Sequence, residues 1–63
     1  MHRTFELYLR HTDGRETFEP LTHRGTHIEL LSHVRRVLAE RGAETVEVRE
    51  FGEHLITIGA LPD

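Results

Sequence analysis

The sequence contains no cysteine, a single serine and no long apolar run. The missing cysteines remove disulfides and thiolate metal sites together, and they suit a reducing compartment. No apolar stretch approaches the length of a membrane span, and the opening residues MHRTFELYLR lack the apolar core of a signal peptide. The expectation is a soluble, cytoplasmic protein with no membrane partner. Serine is nearly as scarce as cysteine. Ser32 falls in the middle of a helical pattern, away from its apolar stripe, and the adjacent His33 points elsewhere. No glycine-rich loop feeds a helix, since Arg24-Gly25-Thr26 offers one glycine, and no H-E-x-x-H spacing occurs. Neither catalysis nor a bound cofactor is expected. The formal charge of −3, with acids and bases interleaved, weighs against nucleic acid.

Sixty-three residues make one domain, 1–63. A chain this short buries only about 60% of its unfolded surface. Such folds are usually held by disulfides, a metal or a partner subunit. With the first excluded, a second copy of the chain is the expected partner, or else another protein.

Thr26 to Gly42 carries the clearest local signal. At 100° per residue, Leu30, Leu31, Val34, Val37 and Leu38 fall within a stripe about 120° wide. Thr26 and Glu29 form a T-x-x-E capping box, and Gly42 follows the last periodic turn. The helix should span about residues 27–41 and supply close to half of the core.

Two strand-like stretches precede this helix and two follow it. Phe5, Leu7 and Leu9 alternate with Thr4, Glu6, Tyr8 and Arg10, the mark of a half-buried strand. Asp13-Gly14 reads as a two-residue hairpin loop, which sets Leu9 opposite Phe18 facing inward and Tyr8 opposite Glu19 facing outward. Pro20 places the return strand at a sheet edge, and Leu21, out of step, suggests a bulge near it. Val46 and Val48 face inward in the third strand. A three-residue loop at Phe51-Gly52-Glu53 sets Val48 against Ile56 and Val46 against Ile58. His54 to Ala60 is the most apolar strand, which points to a central place, and Leu61-Pro62-Asp63 reads as a loose tail. The fold class is α+β, in the order β-β-α-β-β: two hairpins form a small four-stranded, mostly antiparallel sheet with one helix packed on one face. This layout resembles that of several small bacterial proteins, a likeness of layout alone that implies no activity.

One helix leaves the other sheet face bare. Tyr8, Phe51 and Leu55 are more apolar than solvation requires, and Arg10 and Arg49 lie among them. These five residues are the candidate interaction surface, for self-association through that open face or an edge strand. A nucleic-acid regulator would draw on Arg24, Arg35, Arg36 and Tyr8, but Glu6, Glu19 and Glu47 around Tyr8 repel phosphate. The histidines, His2, His11, His23, His27, His33 and His54, are scattered, with no spacing typical of a metal site, and a histidine-mediated metal-binding protein is the third reading after association and nucleic-acid binding.

Overall fold

The computed structural model describes residues 2–59. The order of elements is β1 (Arg3–Arg10), β2 (Glu16–His23), α1 (His27–Arg41), β3 (Thr45–Glu50) and β4 (Glu53–Gly59). The fold is the expected α+β arrangement, β-β-α-β-β, with one open sheet in the spatial order β2-β1-β3-β4. Every neighbouring pair is antiparallel, so β2 and β3 run parallel with β1 between them. A parallel connection cannot be closed by a tight turn, and α1 is the crossover that makes it. Among the described residues no helix is long and apolar enough to cross a membrane. The sequence-based tail, together with Ala60 of the last strand, lies outside the described residues.

The helix ends as its sequence prescribes. Thr26 accepts from the Glu29 amide at 3.2 Å, Glu29 reaches back to the Thr26 amide at 3.3 Å, and Gly42 closes the last turn in the left-handed region at φ 64°. Gly42 donates to the Ala39 carbonyl, and Ala43 donates to that of Leu38. Leu30, Val34, Val37 and Leu38 are buried, whereas Leu31 is only half-buried at the flank. The helix therefore supplies four of the twelve buried hydrophobic residues among those described, fewer than the stripe implies. Phe5, Leu7 and Leu9 of β1 and Val46 and Val48 of β3 are almost completely enclosed, so the core sits where α1 covers the two middle strands.

Three sequence-based expectations are corrected. In the first hairpin the register is Leu9 against Thr17 and Tyr8 against Phe18, one residue away from the two-residue-loop pairing. His11 donates its amide to the Arg15 carbonyl, Gly14 sits at φ 87°, and Asp13 accepts from the Arg15 amide, so the chain turns over three residues. The shift sends Phe18 outward and Leu21 inward, with pairing continuous through Pro20 and no bulge there. The inward row gains other contacts: His11 bonds Thr17, and Glu19 receives both Nε and Nη2 of Arg41 at 2.8 and 2.9 Å.

The second correction concerns β4, which lies at an edge and not in the centre. The helix buries the rows of β1 and β3; of β4, although apolar, only Ile58 joins the core, and Leu55 and Ile56 stay partly exposed.

The third concerns the second hairpin. Val46 does face Ile58 and Val48 does face Ile56, but the turn has two residues, Phe51 at φ 53° and Gly52 at φ 78°. Positive φ at both positions is the type I′ pattern, which matches strand twist. The extra residue is absorbed by a bulge at Leu55, between the Val48–Ile56 and Arg49–His54 pairs.

Phe51 occupies this turn with 91% of its surface exposed. A left-handed backbone costs an L-residue about 1–2 kcal/mol, and asparagine tolerates it better. Phe51→Asn is therefore expected to raise unfolding free energy by about 1 kcal/mol, measured by urea denaturation. An unchanged or lower stability would show that the ring is held by contacts that offset the strain.

Candidate interaction surface

The open face presents Tyr8 and Phe18, their ring centroids 5.3 Å apart and tilted by 56°. The Arg49 guanidinium lies 5.1 Å from the Tyr8 centroid. Glu47 is the hub beneath it, 3.1 Å from Arg49 Nε and 2.8 Å from His54 Nδ1. The Arg49 contact has the distance of an ion pair but not the alignment of a hydrogen bond. Arg10 meets Glu16 at 3.2 Å, and Glu6 accepts the Gly52 amide at 3.0 Å. Arg49 first, then His54, holds the Glu47 carboxyl below the ordinary glutamate value. Charges on this face are thus largely answered from within it, and its aromatic surface is one stacked pair partly roofed by arginine.

The β4 edge differs. The bulge turns Leu55 to the same side as Ile56, and both line a groove of about 270 Å³ against Leu30, Leu31 and Val34 of the helix. Leu55 is 43% exposed and Ile56 38%. Ile28 lies one turn before Leu31 on the same flank of α1 and is 78% exposed. From Leu55 to Ile58 the strand carries neither charge nor proline. At the opposite edge, β2 carries Pro20, Glu16 and the Glu19–Arg41 pair. Proline and charge blunt an edge against pairing with another chain. The β2 edge has this protection, and the Leu55–Ile58 stretch of β4 does not.

Of the five residues nominated from sequence, Tyr8, Arg10 and Arg49 share the open face, with Arg49 over Tyr8. Phe51 stands at the hairpin tip, and Leu55 lies on the helix side instead of beside Tyr8. Phe18, Ile28 and Ile56 were not nominated. Phe18 follows from the first-hairpin register, and Ile56 from the place of β4 at an edge. The nucleic-acid set is divided: Arg24 and Arg36 line a groove between β2 and α1, whereas Tyr8 occupies the other sheet face. Among the described residues no three metal-ligating side chains converge. Comparison of the chain with protein-family models, with characterised proteins and with solved structures yields no match.

The Glu47 cluster makes a pH prediction. A carboxyl whose folded pKa is depressed adds stability above its unfolded pKa and loses it as pH falls through the folded value. Glu19 and Glu50 are shifted the same way by Arg41 and Arg3. Unfolding free energy should decline as pH falls below the ordinary glutamate value of 4.5. Glu47→Gln should decline less steeply than wild type in urea unfolding between about pH 6 and 3. Equal slopes would remove Glu47 from the acid response.

Proposed function

We propose that this protein is a non-catalytic association domain that works as a homodimer joined through β4. The observation that carries the reading is the uncharged, proline-free Leu55–Ile58 stretch of the β4 edge running beside an open apolar groove. Strand addition at such an edge supplies main-chain hydrogen bonds, and the groove supplies side-chain contact. A two-fold axis near Thr57 sets Ile56 of each copy opposite Ile58 of the other on the helix side, with Thr57 against Thr57 on the open side. Both helices fall on the same face, so Ile28 and Leu31 of each flank the joint. The cytoplasm is the compartment we assign, because the cysteine-free chain has no use for an oxidising one.

Magnitudes set the strength of this joint. The exposed parts of Ile28, Leu55 and Ile56 amount to roughly one and a half side chains per copy, at 1.5–3 kcal/mol for each full burial. Both copies together gain roughly 5–9 kcal/mol, with a further 0.5–1.5 kcal/mol for each edge hydrogen bond. Association itself costs about 4–15 kcal/mol. Only the favourable end of these ranges reaches the roughly 8 kcal/mol of a micromolar complex, so the joint is a weak, concentration-dependent one rather than permanent.

Sedimentation equilibrium over about 1–300 µM, from that limit upward, should show a reversible monomer–dimer transition. Ile28→Glu, on the helix surface, and Ile56→Lys, on the strand, should shift it to monomer, while Tyr8→Ser and Phe18→Ser leave it in place. A strict monomer throughout, or a dimer that survives the first two changes and is lost with the second two, would sink the β4 reading.

A further inference from the structure

The groove between β2 and α1, at the other edge from β4, has a volume of about 410 Å³, and its walls include His23, Arg24, Glu29, Ser32, His33 and Arg36. Four of the eight arginines, Arg3, Arg10, Arg41 and Arg49, are in ion pairs. Arg24 and Arg36 have no carboxylate partner among the described residues, and both reach this groove. The one carboxylate present, Glu29, is engaged by the Thr26 amide and hydroxyl at the helix cap. The groove therefore carries an excess of cations in a chain whose formal charge is −3.

Its two histidines are linked. His23 Nε2 lies 3.3 Å from the Thr26 carbonyl, which can only accept, so that nitrogen carries a proton. In the neutral ring His23 Nδ1 then holds the lone pair. It lies 3.5 Å from His33 Nδ1, so His33 is the donor between them. His33 Nε2 has no partner among the described residues. A proton added there makes an imidazolium whose Nδ1–H is already accepted by His23, with Nε2–H left for a ligand.

We propose that this groove binds a tetrahedral oxyanion of the phosphate or sulfate class. Arg24 and Arg36 are its cationic arms, the Ser32 hydroxyl is a further donor, and His33 takes up a proton as the anion enters. A metal dication fits less well. The Nδ1 spacing suits two ligands on one tetrahedral ion, but Arg24 and Arg36 repel it and no third ligand converges among the described residues. A nucleic-acid strand would call for stacking aromatics beside the cations, and Tyr8 lies on the far face of the sheet. The charged and titratable groups facing the site are His23 and Arg24 from the end of β2 and its following loop, and Glu29, His33 and Arg36 from α1. The site is independent of the β4 joint.

Sulfate is the probe, because its charge is constant across the range in which histidine titrates. Titration of the whole protein at low salt, followed by amide and imidazole resonances, should saturate at pH 5.5 with shifts centred on Arg24, Ser32 and His33, and bind about tenfold more weakly at pH 8. Arg36→Ala should weaken binding about tenfold, by loss of a charge-assisted hydrogen bond. Arg15→Ala, which removes the same charge from the first hairpin loop, should not. His33→Gln should abolish the pH dependence. Non-saturating shifts, shifts centred elsewhere, or equal losses from Arg15→Ala and Arg36→Ala would overturn the proposal. Inorganic phosphate at pH 5.5 should compete with sulfate, and failure to do so would count against the proposed class.

Discussion

A single helix is too narrow for the sheet it must cover. An α-helix with its side chains is about 10–12 Å across. Four strands at about 4.8 Å spacing span nearly twice that width. Here α1 lies over β1 and β3, and the completely enclosed strand residues, Phe5, Leu7, Leu9, Val46 and Val48, all belong to those two strands. Both outer strands are left half-covered on the helix side, and much of this protein's surface chemistry follows from how each manages its uncovered half.

The two flanks manage it in opposite ways. On β2 the inward row past Leu21 is polar: Glu19 pairs with Arg41 from the last helical turn, Thr17 bonds His11, and His23 contacts His33. These pairs allow the row to face water at the helix margin, and Pro20 removes a donor from the edge beyond it. On β4 the row stays apolar through Leu55 and Ile56, and the α1 side chains that line the groove against them are Leu30, Leu31 and Val34, with His27 as the one polar member. The bulge makes this flank more apolar still. Without it Leu55 would alternate to the open face; with it, two consecutive hydrophobic residues share the helix side.

This division also explains what could be read in the sequence and what could not. Local signals were decisive where neighbours in the chain determine the outcome. The Thr26–Glu29 box and Gly42 bound the helix, the alternation from Thr4 to Arg10 gave β1 and both of its faces, and the apolar match of Val46 and Val48 with Ile58 and Ile56 gave the register of the second hairpin. The first hairpin failed because Asp13-Gly14 serves a two-residue or a three-residue turn equally well. The choice between them rests on His11–Thr17 and Glu19–Arg41, the latter 22 residues apart in sequence. Pro20 correctly put β2 at an edge with β1 inside, but the place of β4 was misread for a related reason. Apolar content suggested a central β4, but centrality depends on which rows the helix covers, and no short window contains that information. Leu55 was placed on the wrong side because a bulge between Val48 and Arg49 resets the alternation after it.

Ionic chemistry then separates the two ends of the functional reading. Arginines at the sheet and helix margins that meet carboxylates, at Arg3–Glu50, Arg10–Glu16, Arg41–Glu19 and Arg49–Glu47, tie sequence-distant elements together or neutralise the open face. Solvent-exposed pairs of this kind are screened by water and salt and add too little stability to hold a fold this small alone. Their larger effect is selective: they remove free charge from three surfaces and leave it beside His23 and His33. The Leu55–Ile58 stretch of β4 carries no charge to pair. On the proposed reading one edge takes a copy of itself and the other an anion, and because the sheet keeps the two on opposite sides of the molecule, neither occupant would obstruct the other. A dimer built on β4 would carry its two polar grooves at its far ends, which is the geometry in which an anionic partner could be met twice by one assembly.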